Sequence, residues 1–70
     1  DFRDCHLRRA DLRDSDLAHS LFGNTDLRAA NLTEARDYDI DLRHNQLKGA
    51  KFSRFEALRL LDSLEIELVD

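Results

Sequence analysis

One residue in five along this chain is large and apolar, and that period governs what the chain can fold into. Counting in fives from Phe2 reaches Leu7, Leu12, Leu17, Phe22, Leu27, Leu32, Asp37, Leu42, Leu47 and Phe52, so ten of eleven central positions are Leu or Phe, without a slip. Two places before the centres stand Cys5, Ala10, Ser15, Ser20, Thr25, Ala30, Ala35, Ile40, Asn45 and Ala50, nearly all small. The residue immediately before a centre is often Asp or Asn, as at Asp1, Asp11, Asp16, Asp26, Asn31 and Asp41. An α-helix needs apolar residues at i, i+3, i+4 and i+7, and a half-buried strand needs strict alternation. A step of five fits neither. It fits a chain that runs extended for a few residues, turns a corner and repeats.

Four such segments make one turn of twenty residues, so residues twenty apart stack. The predicted fold is an all-β solenoid, a right-handed quadrilateral β-helix, spanning residues 1–53 as about two and a half coils ~4.8 Å apart. The stacks are Phe2/Phe22/Leu42, Leu7/Leu27/Leu47, Leu12/Leu32/Phe52 and Leu17/Asp37, a narrow ladder too full to hold a ligand. The chain begins in mid-repeat at Asp1 without an evident N-terminal cap, which suggests a fragment of a longer repeat protein or an edge covered by another chain.

After Phe52 the period changes. Ser53 followed by Glu56 is a capping-box pattern, and it opens an α-helical cap from about Arg54 to about Ser63. Ala57, Leu58, Leu60, Leu61 and Leu64 spread over a broad arc of that helix, and residues 65–68 alternate polar and apolar like a short strand. Residues 54–70 therefore read as a second unit. One stripe of the helix can cover the last coil, and the rest invites a second copy. Phe55, Ala57, Leu58, Leu60, Leu61, Leu64, Ile66 and Leu68 are the expected cap and homodimer residues.

Charge divides by region. Residues 1–54 hold ten acidic and ten basic side chains, so the net charge of −4 comes from the tail. That excludes a basic nucleic-acid footprint, and no direct nucleic-acid binding is expected. No apolar run is long enough to span a membrane. Cys5 is the only cysteine, which rules out an intrachain disulfide and fits a cytoplasmic setting; at a small inward position it reads as filler. His6, His19 and His44 lack a second ligand at metal spacing and read as solvated. With neither a pocket-forming loop nor a nucleophile–base set, no enzyme and no cofactor is expected. The Asp residues before the centres suit corners, where their side chains bond backbone N–H groups. Asp37 is the anomaly: a carboxylate at a central position, followed by bulky Ile40. Buried and unpaired it would cost several kcal/mol. It should turn outward or find a partner such as Arg36 or Arg43, with Tyr38 filling part of the space. The irregular spot of Asp37, Tyr38 and Ile40 is either a local bulge or a contact for a partner.

The pattern Ala10-Asp11-Leu12-Arg13-Asp14 and Ala30-Asn31-Leu32-Thr33-Glu34 resembles the pentapeptide-repeat family over residues 1–52. The tail is more telling. Tyr38-Asp39-Ile40-Asp41, His44-Asn45 and the ending Leu60-Leu61-Asp62-Ser63-Leu64-Glu65-Ile66-Glu67-Leu68 resemble the C-terminus of the topoisomerase-protecting subgroup. That subgroup includes the Qnr-type quinolone-resistance proteins and the albicidin-resistance pentapeptide protein. The resemblance implies a dimeric rod, joined through C-terminal helices, that binds DNA gyrase by mimicking duplex DNA and protects it from inhibitors. The alternative is a generic repeat scaffold for protein–protein interaction.

Overall fold

The structure is a computed structural model that describes residues 1–69. Its backbone turns once per repeat. The N–H at the small position returns to the carbonyl of the preceding centre, as from Ala10 to Leu7 (2.9 Å), Ala30 to Leu27 (3.0 Å) and Ala35 to Leu32 (3.0 Å). The third residue of these turns is left-handed: Arg9 (φ 63°), Asp14 (62°), His19 (64°), Ala29 (58°), Glu34 (62°) and Gly49 (76°). A positive φ there is the mark of a type II turn, whose usual occupant is Gly. Only Gly49 of these six is a glycine. The others give up about 1–2 kcal/mol each to be left-handed, a cost that stacking against the neighbouring turn offsets.

Neighbouring turns run parallel, twenty residues apart. The Leu7 N–H donates to the Asp26 carbonyl (2.8 Å) and the Asp26 N–H to the Cys5 carbonyl (3.0 Å). The same exchange links Leu12 with Asn31, Leu17 with Arg36 and Leu27 with Gln46. Among the described residues, regular strand is confined to β1 (Asn31–Leu32) and β2 (Lys51–Phe52), paired parallel with Asn31 opposite Lys51. Isolated parallel bridges join His6 to Asp26, Asp11 to Asn31, Asp16 to Arg36 and Asp26 to Gln46. The strands are short because a turn interrupts each side after a few residues.

The middle turn forms the core. Leu27, Leu32, Ala30 and Ala35 are fully buried, and Leu17, Tyr38 and Ile40 nearly so. Phe2, Leu7, Leu12, Phe22, Leu47 and Phe52 are half-buried and pack against them, while Leu42 is half-buried at the margin. Leu27 and Leu32 are covered from above and below, whereas their partners one turn away are covered from one side. Phe2 stacks on Phe22 with ring centroids 5.2 Å apart. The column of small positions Cys5/Thr25/Asn45 is polar and satisfied. The buried Thr25 hydroxyl donates to the Phe2 carbonyl (2.6 Å), and its N–H donates to Asn45 Oδ1 (3.0 Å). Half-buried Cys5 caps this column.

The tail departs from expectation. In place of an α-helix from about Arg54, the chain forms a 3-10 helix, Glu56–Leu64, after Phe55. The capping box is absent because Ser53 is engaged elsewhere: its hydroxyl accepts the Glu34 N–H (2.8 Å) and donates to Glu34 Oε1 (3.1 Å). In a 3-10 helix residues three apart align, which sets Ala57, Leu60 and Ser63 on one half-buried edge. The Ser63 hydroxyl holds the Leu42 N–H (3.3 Å), and Arg59 Nε donates to the Tyr38 carbonyl (3.0 Å). Residues 65–68 form no strand. Glu65 closes the helix in a left-handed conformation (φ 56°), and Ile66 and Leu68 stay exposed with no strand edge beside them.

Asp37 takes one of its two expected courses, the outward one, but the cation nearest to it is not one of those expected. It turns outward with φ 59°, its side chain 57% exposed, and its nearest cation is Arg59 (3.9 Å), not Arg36 or Arg43. Tyr38 takes the interior slot beside Phe52, centroids 5.4 Å apart, and Ile40 is buried below it. Of the three residues expected as a contact spot, only Asp37 is at the surface.

Candidate interaction surface

With the interior filled, three outward positions per repeat make the surface. Where Asp or Asn stands before a centre, it forms a corner clamp. Asp11 Oδ1 accepts the Arg13 N–H (3.1 Å), and both carboxylate oxygens bind the Arg13 guanidinium (2.8 Å each). Asp26 holds Arg28 in the same way, and Asp1 holds Arg3. Asp16 accepts the Ala18 N–H alone, and Asn31 Oδ1 accepts both the N–H and the hydroxyl of Thr33. The Arg13 and Arg28 hydrogen bonds hold the carboxyls of Asp11 and Asp26 down at about 2. Asp41 is lowered too, first by the Arg43 N–H and then by His44, whose Nδ1 lies 2.6 Å away. The triplet Asp-x-Arg was the available sequence signal for these clamps; the period of five hides it because it spans only part of a repeat.

Charge is therefore sorted by side of the coil. The stacked segments 6–10, 26–30 and 46–50 carry Arg8, Arg9, Arg28 and Lys48 against Asp26. The segments 16–20 and 36–40 carry Asp16, Asp37 and Asp39 against Arg36. His6 and His19 are exposed, and His44 is exposed but paired with Asp41.

At the C-terminal end, Phe55 (86% exposed), Leu58, Leu64, Ile66, Leu68 and Val69 leave an apolar surface, while Leu60 packs on the core and Ala57 and Leu61 are half-buried. Arg59, unforeseen in the sequence, ties this helix to the irregular turn through Tyr38 and Asp37, and it lies 3.9 Å from Glu56 on its own helix. Beneath it the Tyr38 hydroxyl and Glu56 Oε2 are buried without hydrogen-bond partners among the described residues. Burial pushes the Tyr38 phenol up to about 12, with the Glu56 charge adding to it.

The described residues form surface clefts, of which two stand out. One of about 410 Å³ lies among Asn24, Arg43, His44, Asn45 and Gln46. The other, about 280 Å³, is lined by Ser20, Leu21, Phe22, Asp39, Asp41 and Ser63. No trio of His, Cys, Asp or Glu is placed to hold a metal among the described residues, and none of their helices is long and apolar enough to cross a membrane.

Residues 10–36 match the family described as pentapeptide repeats (8 copies). A solved structure of trypsin-treated QnrB1, a plasmid-mediated fluoroquinolone resistance protein, is similar over 97% of this chain and 42% of its own, with 20% identity and a TM-score of 0.55. A second trypsin-treated QnrB1 variant aligns over 97% and 39%, with 22% identity and a TM-score of 0.49. The chain thus spans about two fifths of the length of the solved structures it matches. No curated protein matches it. The repeat is thus matched over residues 10–36, and the fold of the chain is similar to that of QnrB1.

Proposed function

We propose that the chain is a non-catalytic, DNA-mimicking protein that binds DNA gyrase and protects it from inhibitors such as quinolones or albicidin. The observation that carries this reading is the C-terminal run from Tyr38 to Leu68, which resembles the topoisomerase-protecting subgroup. The fold shared with QnrB1, a fluoroquinolone resistance protein, supports it. So does the gathering of Asp16, Asp37 and Asp39 on one side of a coil that is neutral overall. In this reading residues 1–53 are part of a right-handed quadrilateral β-helix, and residues 54–70 cap it and join two copies in the cytoplasm. The exposed apolar residues from Phe55 to Val69 suit such a self-complementary contact.

The neutral balance of residues 1–54 favours a second reading, a repeat scaffold for an unrelated protein. A gyrase supercoiling assay separates the two. Supercoiling restored in the presence of a fluoroquinolone or albicidin supports protection. No rescue, and no inhibition of gyrase at high protein concentration, leaves the scaffold.

A further inference from the structure

Three of the four Arg and Lys side chains on the side formed by residues 6–10, 26–30 and 46–50 have no ion-pair partner among the described residues. On the other sides the sequence sets an Asp two residues before each clamped Arg, at Asp1/Arg3, Asp11/Arg13 and Asp41/Arg43. On this side only the middle rung keeps that pair, Asp26/Arg28. The rungs above and below read His6-Leu7-Arg8 and Gln46-Leu47-Lys48, with no acid at the clamp position. Arg8, Arg9 and Lys48 accordingly have no carboxylate within ion-pair distance among the described residues.

The ladder fixes their spacing. Leu7 N–H to the Asp26 carbonyl (2.8 Å) and Leu27 N–H to the Gln46 carbonyl (2.9 Å) stack the three rungs. Arg8, Arg28 and Lys48 then occupy one column, with steps of ~4.8 Å. Like charges held opposite one another on neighbouring strands are destabilising, and an anion laid along the column would relieve that repulsion. The next column begins with Arg9 and continues with Ala29 and Gly49, so beside Arg28 and Lys48 the surface is low enough for an extended backbone.

We propose that this side is a docking face for an acidic, extended segment of another protein. Duplex DNA fits it less well. A duplex carries one charge per about 1.7 Å along its axis, far denser and longer than a three-rung column. The chain as a whole is at −4, and Asp16, Asp37 and Asp39 line another side of the coil. A long polyanion meets that field, whereas a short acidic segment touches the cation column alone. The inference does not depend on gyrase binding.

The test uses the full chain and a fluorescein-labelled oligoglutamate peptide, read by fluorescence anisotropy at low and at physiological salt. The double variant Arg8→Gln/Lys48→Gln should bind roughly tenfold more weakly, since two charge-assisted contacts are lost. Neither residue is ion-paired, and unchanged melting confirms that the fold is kept. Arg13→Gln/Arg43→Gln removes the same charge from other sides and should bind as the parent does. Equal weakening by both double variants overturns the proposal, because the attraction would then reflect net charge alone. Absence of peptide binding at low salt also overturns it, as does tighter, Arg8-dependent binding of a short DNA duplex.

Discussion

Replacing Asp37 by Leu restores the repeat consensus, and the structure says that this will not help. From the pattern alone, Asp37→Leu fills the empty place in the Leu17 stack, and burying a Leu side chain stabilises by about 1.5–3 kcal/mol. In the folded chain that place is already taken: Tyr38 is 1% exposed against Phe52, while Asp37 faces outward in a left-handed conformation. Leu tolerates that conformation less well than Asp, at a difference of about 0.5–1 kcal/mol. The exposed contact with Arg59 at 3.9 Å adds at most a few tenths of a kcal/mol. A Leu driven inward would have to expel Tyr38 and exchange one buried side chain for another. The expected outcome is a loss of about 0.5–1.5 kcal/mol, and each kcal/mol lowers Tm by roughly 4–8 °C in a domain this small. Thermal unfolding followed by circular dichroism reads it directly. A variant that melts higher than the parent would refute the assignment of Tyr38 to the interior.

Three further outcomes are expected. Ala30→Leu overpacks a fully buried position between Ala10 and Ala50 and should cost ~1–3 kcal/mol in denaturant titration, leaving an unchanged midpoint as the refuting result. Asp11 and Asp26 titrate at about 2 in the folded chain, below their ordinary 3.8, so the stability they contribute is complete above the ordinary value and is lost as pH falls through about 2. Asp26→Asn keeps the acceptor for the Arg28 N–H, as Asn31 does for Thr33, and should flatten the fall in melting temperature over that window. On the proposed dimer, Leu58→Asp should leave the coil folded but abolish self-association in sedimentation velocity; a sedimentation coefficient equal to the parent's would refute a helix interface.

The twenty-residue register was legible because burial selects side chains by slot, and slots recur every five residues. What the sequence hid was set by contacts between slots. Tyr38 displaces Asp37 because the backbone turns two residues early: most other repeats are left-handed two residues past the centre, which here would be Asp39, but Asp37 is left-handed instead. Periodicity records which side chains alternate inward; it does not record a local change of turn. The capping box failed for a related reason. Ser53 and Glu56 have the right spacing, but Glu34 lies one turn above Ser53 and takes its hydroxyl. Within the candidate surface, the individual charges were plain to read, while their segregation became visible only after the residues were wrapped onto sides. The helix type was beyond reach, since its half-buried edge of Ala57, Leu60 and Ser63 is tethered through Leu42 and Tyr38, far away in sequence.

The left-handed corners also set the grammar by which such a chain can lengthen or shrink. They recur at Ala29, Glu34 and Gly49, so the irregular stretch between Glu34 and Gly49 spans whole repeats and leaves the phase intact. Gain or loss of one residue would send every later centre out of the interior. A change of one whole repeat keeps the core but rotates everything downstream by one side, moving Lys48 from beneath Arg28 to a neighbouring column. Only a change of a full twenty residues preserves both interior and surface. Substitution can retune this surface one residue at a time, but insertion can rewrite it only in quanta.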